Sequence, residues 1–181
     1  MAATTVIHTQ LEDNLLFNLP VNEGGTAETF ATAHLVVEQE FEYPRQTALP
    51  LETRGVIARF DPRDQRYTVF TSTQIPHLIR AALSQILNVS ESAIRVIKPD
   101  VGGGFGLKGQ LFPEEVVLPA LARKLDHPLK WVEDRRESLM AGGHAHEERL
   151  HLSAAFDAEG SLLATKSLID GDSGAHSTFP F

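Results

Sequence analysis

The residues with the clearest capacity for chemistry lie in one run, Asp100-Val101-Gly102-Gly103-Gly104-Phe105-Gly106-Leu107-Lys108. Glycines at 102, 103, 104 and 106 remove side chains where a backbone must turn tightly or approach a ligand closely. Phe105 adds one flat apolar face and Lys108 one positive charge. Successive backbone N–H groups in such a loop can form a concavity for an anion, a phosphate or an oxo group. The spacing is not that of a P-loop, whose lysine is followed by Ser or Thr. A plain tight turn satisfies the same pattern, so residue types alone leave turn and ligand cradle both open.

A second candidate is Gln74, in Ser72-Thr73-Gln74-Ile75-Pro76. It stands where a β-type run ends and a helical pattern begins. A junction glutamine can face solvent or bond the local backbone. Its carboxamide can equally donate from NH2 to a ligand without bringing charge. His144, His146 and His151 with Glu147 and Glu148 could suggest a metal site, because His-x-His on a strand puts both rings on one face. The preferred reading is a polar loop entering an exposed strand, and no metal ligand is assigned within the chain. Glu52 and Arg54 read as a surface pair of little energetic weight. Asp134-Arg135-Arg136-Glu137 reads as a charge-paired helix start. No Ser-His-Asp or Cys-His pattern stands out.

The elements that must position these groups follow from periodicity. Residues 1–28 read as an irregular lead-in, with a short strand at Leu15-Leu16-Phe17. Leu35, Val37, Gln39 and Phe41 alternate with His34, Val36, Glu38 and Glu40, which predicts a half-buried strand over 33–43 stopped by Pro44. Residues 51–60 and 67–71 flank the turn formers 61–66 and predict a hairpin. A helix follows over 75–87, capped by Ser72 or Thr73, with Leu78, Ile79, Ala82, Leu83, Ile86 and Leu87 on its apolar face. Ile94-Arg95-Val96-Ile97 is a strand feeding the glycine run. A second helix spans 113–125, with Glu114 and Glu115 in its first turn and Arg123 and Lys124 in its last, as the helix dipole favours. Pro119 inside it predicts a kink or break. A strand at 129–132, a short helix at 135–140, a hairpin from 148–156 and 162–169, and an irregular 173–181 complete the chain.

The 181 residues suffice for one domain with a sizeable core or for two small lobes. A net charge of −8 argues against non-specific nucleic-acid binding, for which no basic stripe is available. The absence of cysteine excludes disulfides, thiolate zinc sites and iron–sulfur ligation by this chain. No apolar run reaches the length of a membrane span and Met1-Ala2-Ala3-Thr4 opens no secretory signal, so a cytoplasmic protein is the expectation.

The order strand, Ser-Thr-Gln, helix, strand, Gly-Gly-Gly-Phe-Gly-x-Lys resembles the molybdenum hydroxylases, the family of xanthine dehydrogenase, aldehyde oxidase and the large subunit of aerobic carbon monoxide dehydrogenase. Segments 50–58, 131–137 and 171–176 are similar to family segments in family order. The resemblance implies that Gln74 donates a hydrogen bond toward the apical oxo ligand of molybdenum. It implies that Gly103, Gly104, Phe105 and Gly106 pack beside a molybdopterin, typically its cytosine dinucleotide form. It also places Glu52 and Arg54 in partly buried positions on the cofactor side. Family chemistry is hydroxylation of an aldehyde or heterocycle with water-derived oxygen, or oxidation of carbon monoxide, with electrons leaving through iron–sulfur and FAD centres. Those centres belong on partner subunits or domains.

Two departures qualify the match. Lys108 is followed by Gly109 and Gln110 where purine-oxidising members carry a glutamate, and nothing here matches the family's general-base glutamate, which lies near the end of a far longer subunit. The expectation is therefore an α+β fold, a mixed and antiparallel sheet with hairpins and two main helices, with 29–181 as the first portion of a molybdopterin-binding domain. Such a piece should be inactive alone, should partner the remainder of the large subunit, and should expose apolar surface that its neighbours would cover. The alternatives are a non-catalytic module of the same fold that binds proteins, and a phosphate-bearing ligand at the glycine loop.

Overall fold

The computed structural model describes residues 5–7, 9 and 13–174. The early elements are α1 (Thr26–Thr32), β1 (Leu35–Tyr43), β2 (Gln46–Thr47), β3 (Gly55–Asp61), β4 (Arg66–Thr71), α2 (Pro76–Leu87) and β5 (Ile94–Ile97). After the glycine run come α3 (Pro113–Leu125), β6 (Leu129–Val132), α4 (Arg135–Ala141), β7 (His144–Ala145), β8 (Glu147–Phe156) and β9 (Leu162–Asp172). Among the described residues the chain forms two compact units. One joins the segment up to Arg45 to the segment from His146 onward, and the other is 46–145.

The first unit is a three-stranded antiparallel sheet in the order β1-β8-β9, its register running from Leu35↔Phe156 to Tyr43↔Glu148. The β8–β9 hairpin turns at Asp157, whose carboxylate accepts the N–H groups of Glu159 at 3.0 Å and Ser161 at 2.7 Å. The strand expected over 33–43 is present over Leu35–Tyr43, but it is not half-buried: all nine of its residues are exposed. It is an edge strand, and the one short helix of this unit packs on β9, where the Lys166 ammonium stands 4.2 Å above the Phe30 ring. Ala155 alone is buried among the described residues of this unit. Leu15-Leu16-Phe17 forms no strand, having no partner to pair with, and α1 begins inside the stretch read as irregular. Ser173 and Gly174 are irregular as expected, and the rest of that stretch, 175–181, lies outside the described residues.

The second unit carries a four-stranded mixed sheet in the order β5-β4-β3-β6, with β4 and β5 parallel and the other pairs antiparallel. Alternate residues Val56, Ala58, Tyr67, Val69 and Ile94 point to one face, which Ile79 and Leu83 of α2 and Leu118 and Ala122 of α3 cover. Each large side chain buried there is worth roughly 1.5–3 kcal/mol. Leu78 and Ile86, expected on the apolar face of α2, lie on its exposed flanks. The expected helix over 113–125 is present to the residue and passes through Pro119 without breaking. The two-residue strands β2 and β7 pair at the margin of this unit.

The parallel β4–β5 pair sets up the site. Parallel strands need a crossover, here α2, and both strands then end at the same edge of the sheet. Ser72-Thr73-Gln74 leaves the end of β4, and the glycine run follows the end of β5.

Candidate cofactor-binding site

Neither Ser72 nor Thr73 is the helix N-cap. Ile75 holds that position without a side-chain cap. Ser72 Oγ instead accepts the Gly55 N–H at 2.9 Å. Thr73 Oγ1 accepts the Ile75 N–H at 3.1 Å and donates to the Lys108 carbonyl at 3.3 Å. Both are buried, so the turn before α2 is fixed from below and Gln74 projects from it exposed.

Gln74 meets the glycine run directly. Its backbone N–H donates to the Lys108 carbonyl at 2.9 Å, and its Oε1 accepts the Gly106 N–H at 3.1 Å. An N–H can be paired only with the amide oxygen, so this contact fixes which way the carboxamide faces and leaves Nε2 with its two hydrogens as donor. Gly104 is required beside it, since a Cβ there would stand 2.5 Å from Gln74 Oε1 and 2.6 Å from Cδ.

The loop itself turns through left-handed backbone at Gly103 (φ +95°), Phe105 (φ +49°) and Gly106 (φ +86°). Such values suit glycine and run against the preference of an aromatic residue. The Leu107 and Gly109 N–H groups close successive turns on the Gly104 and Gly106 carbonyls, each at 2.9 Å. Phe105 is 77% exposed at the tip. The structure thus brings together all five residues singled out in the sequence, Gln74 with Gly103, Gly104, Phe105 and Gly106.

Below the loop lies a charged layer that sequence reasoning saw only in part. Glu52 and Arg54 do not pair with each other. Arg54 is buried, its guanidinium within 2.5 Å of Glu133 and 3.1 Å of Glu114 and stacked 3.5 Å from the Phe112 ring centroid. Glu52 reaches Lys108 Nζ at 2.6 Å. Glu115 accepts from Thr71 Oγ1 at 2.6 Å and from the Phe112 N–H at 3.0 Å, and burial pushes its carboxyl above the usual 4.5. Glu133, Glu115 and the burial of Lys108 were missed, although an arginine and a glutamate set among apolar residues at 51–57 were a signal. A cavity of about 10 Å³ lined by Arg54, Thr71 and Trp131 holds one water's worth of space and is too small for a larger ligand.

The remaining candidates stand elsewhere. Asp134 caps α4, accepting the Glu137 N–H at 2.8 Å while Glu137 accepts the Asp134 N–H at 2.8 Å, so this start is a capping box and not a set of ion pairs. His146 lies 2.8 Å from Glu148 and His151 3.7 Å from Glu40, two separate surface pairs of the first unit.

The molybdopterin cofactor-binding domain family matches residues 7–180. The chain belongs to this family, that of the molybdenum hydroxylases. Its relatives in the family include the nicotine 6-hydroxylase large subunit of Paenarthrobacter nicotinovorans, 42% identical over 88% of this chain and 20% of that protein. The carbon monoxide dehydrogenase large chain of Hydrogenophaga pseudoflava is 34% identical over 85% of this chain and 19% of its own length. Among solved structures, quinoline 2-oxidoreductase from Pseudomonas putida 86 superimposes with a TM-score of 0.74 at 37% identity, covering 86% of this chain and 20% of that one. The chain thus spans about a fifth of the length of the curated relatives it matches. No helix among the described residues is long and apolar enough to cross a membrane.

Proposed function

We propose that this chain forms one wall of a molybdopterin site, with Gln74 donating from Nε2 to the cofactor and Gly103, Gly104, Phe105 and Gly106 lying against it. The observation that carries the reading is the Gly106 N–H to Gln74 Oε1 bond, which engages the amide oxygen and leaves Nε2 as the donor end of an exposed side chain. The residues present fit such a group. Gly104 leaves room for the amide, the bare backbone of the run permits close approach, and Phe105 offers an exposed ring. When bound, the molybdenum–pterin group supplies oxidation of a substrate carbon with water-derived oxygen, or of carbon monoxide, electrons passing to iron–sulfur and FAD centres on partner subunits or domains.

The role of this chain is to orient and hold. Gln74 brings a neutral donor, so it can bond an electron-rich ligand without adding charge to the site. The charged layer of buried Arg54, Glu133 and Lys108 with half-buried Glu114 and Glu52 holds the turn and loop in register from beneath. Nothing in the chain is assigned as general base, and we infer that it is inactive without the remainder of a large subunit. The names of the nicotine- and quinoline-acting relatives favour a nitrogen heterocycle as substrate class.

Metal and pterin analysis of the purified protein tests the reading. Molybdenum and an oxidised fluorescent pterin that are present in the wild type and lost in Gln74→Leu would support it. Wild-type protein from a molybdenum-sufficient host with neither molybdenum nor pterin, alone or within its full-length subunit, would sink it and leave the protein-binding module.

A further inference from the structure

Lys108 is the terminal residue of the glycine run, and its side chain is 1% exposed. A buried ammonium loses its hydration, a cost that a charged partner and hydrogen bonds must offset. Its partner is Glu52, at 2.6 Å from Nζ to Oε2. The same Oε2 accepts the Gly102 N–H at 2.9 Å, and the Glu52 N–H donates to the Gly102 carbonyl at 3.2 Å. One glutamate therefore grips the first glycine of the run through both backbone groups and the last residue of the run through its ammonium. Gly102 has no space for anything larger, since a Cβ would stand 2.7 Å from Glu52 Cβ. The Lys108 carbonyl in turn accepts the Gln74 N–H.

We propose that Glu52 and Lys108 are positioning residues, a half-buried ion pair that ties the entry of the glycine loop to its exit and through the Lys108 carbonyl sets where Gln74 stands. The inference rests on the cofactor reading above for its consequence, but the tie itself concerns this chain alone. Desolvation opposes ionisation of Glu52, yet the Lys108 hydrogen bond, the Gly102 N–H and the lysine charge outweigh it and hold its carboxyl below 4.5, in keeping with a carboxylate that stays charged in the clamp. Without the tie, no side-chain bridge spans the entry and exit of the loop, and the intervening glycines have wide backbone freedom.

The test uses Lys108→Met and the double variant Glu52→Gln/Lys108→Met, the second leaving no unpaired charge and still offering Gly102 an acceptor. Amide hydrogen exchange of 102–107 and of Gln74 is compared with exchange in β3 and β4, and pterin content is measured on the same full-length preparations. The expected result is exchange about tenfold faster across the loop, the effect of losing one charge-assisted hydrogen bond, with core exchange unchanged and pterin content reduced. A merely structural role would accelerate loop and core together. Loop exchange equal to wild type in a folded variant overturns the proposal, as does faster exchange spread evenly over the second unit. If Lys108→Met does not fold, the double variant decides by the same readouts. Wild-type protein lacking pterin would fail the cofactor reading, while the exchange data would still decide the tie.

Discussion

Gly104→Ala separates the position of the Gln74 amide from the stability of the fold. The added methyl would stand 2.5 Å from Gln74 Oε1, 2.6 Å from Cδ and 2.9 Å from Cγ. Ordinary contact between carbons is about 3.5–4.0 Å, so the amide must retreat by roughly 1 Å. Gly104 does not have positive φ, unlike Gly103 and Gly106, so the backbone accepts alanine without strain. Replacing glycine at such a position stabilises by about 0.4–1 kcal/mol through the unfolded chain. Loss of the Gly106 N–H to Oε1 bond costs about 0.5–1.5 kcal/mol. The two nearly cancel, and the melting temperature should move by less than about 8 °C. A displacement of roughly 1 Å in a positioned group can still lower a reaction rate about 100-fold. NMR of the Gln74 side-chain NH2 and exchange of the Gly106 amide, beside a thermal melt, would read the two effects apart. An unmoved Gln74 resonance with a still-protected Gly106 amide would refute the reasoning.

Three further outcomes follow from the buried charges and caps. Arg54→Met leaves Glu133 buried without its cation and should destabilise by about 3–5 kcal/mol in urea unfolding, and a loss under 1 kcal/mol would contradict the role given to that pair. Burial raises the Glu115 carboxyl above 4.5, so its contribution to stability is fully present below 4.5 and is lost as pH rises through the raised folded value. Glu115→Gln keeps an acceptor for Phe112 and can donate to Thr71, so it should gain on wild type as pH rises from 4 to 8; a pH-independent difference would tell against the sign. Asp134→Ala removes the α4 cap and should cost about 0.5–2 kcal/mol, and exchange of the Glu137 amide should rise with it.

Local chemistry made much of this fold legible. Pro113 at the first turn, two glutamates after it and Arg123-Lys124 at the end specified α3 to the residue. The turn formers at 61–66 specified the β3–β4 hairpin, and the glycine run declared a backbone that turns tightly or approaches a ligand closely. Long-range partners were not legible. On residue pattern alone Arg54 looked like a surface residue, because its acid, Glu133, lies 79 positions away, and only the family resemblance placed it in a partly buried position. Ser72 looked like a helix cap because nothing local reveals that Gly55 offers it a better donor. Alternation in 35–43 revealed a strand but not its burial, which depends on what covers it. The side-chain type of Gln74 was readable, whereas its orientation depends on an N–H 32 residues downstream.

The parallel pairing of β4 with β5 has a kinetic consequence. Gln74 and Gly104 are linked by a single strand–helix–strand crossover, so the two halves of the site become neighbours in the same event that docks β5 beside β4. Closing a loop of this length adds little entropy cost beyond that of the crossover itself. The turn and the glycine run should therefore gain protection together during refolding, as one cooperative block with α2, whether or not the first unit has formed.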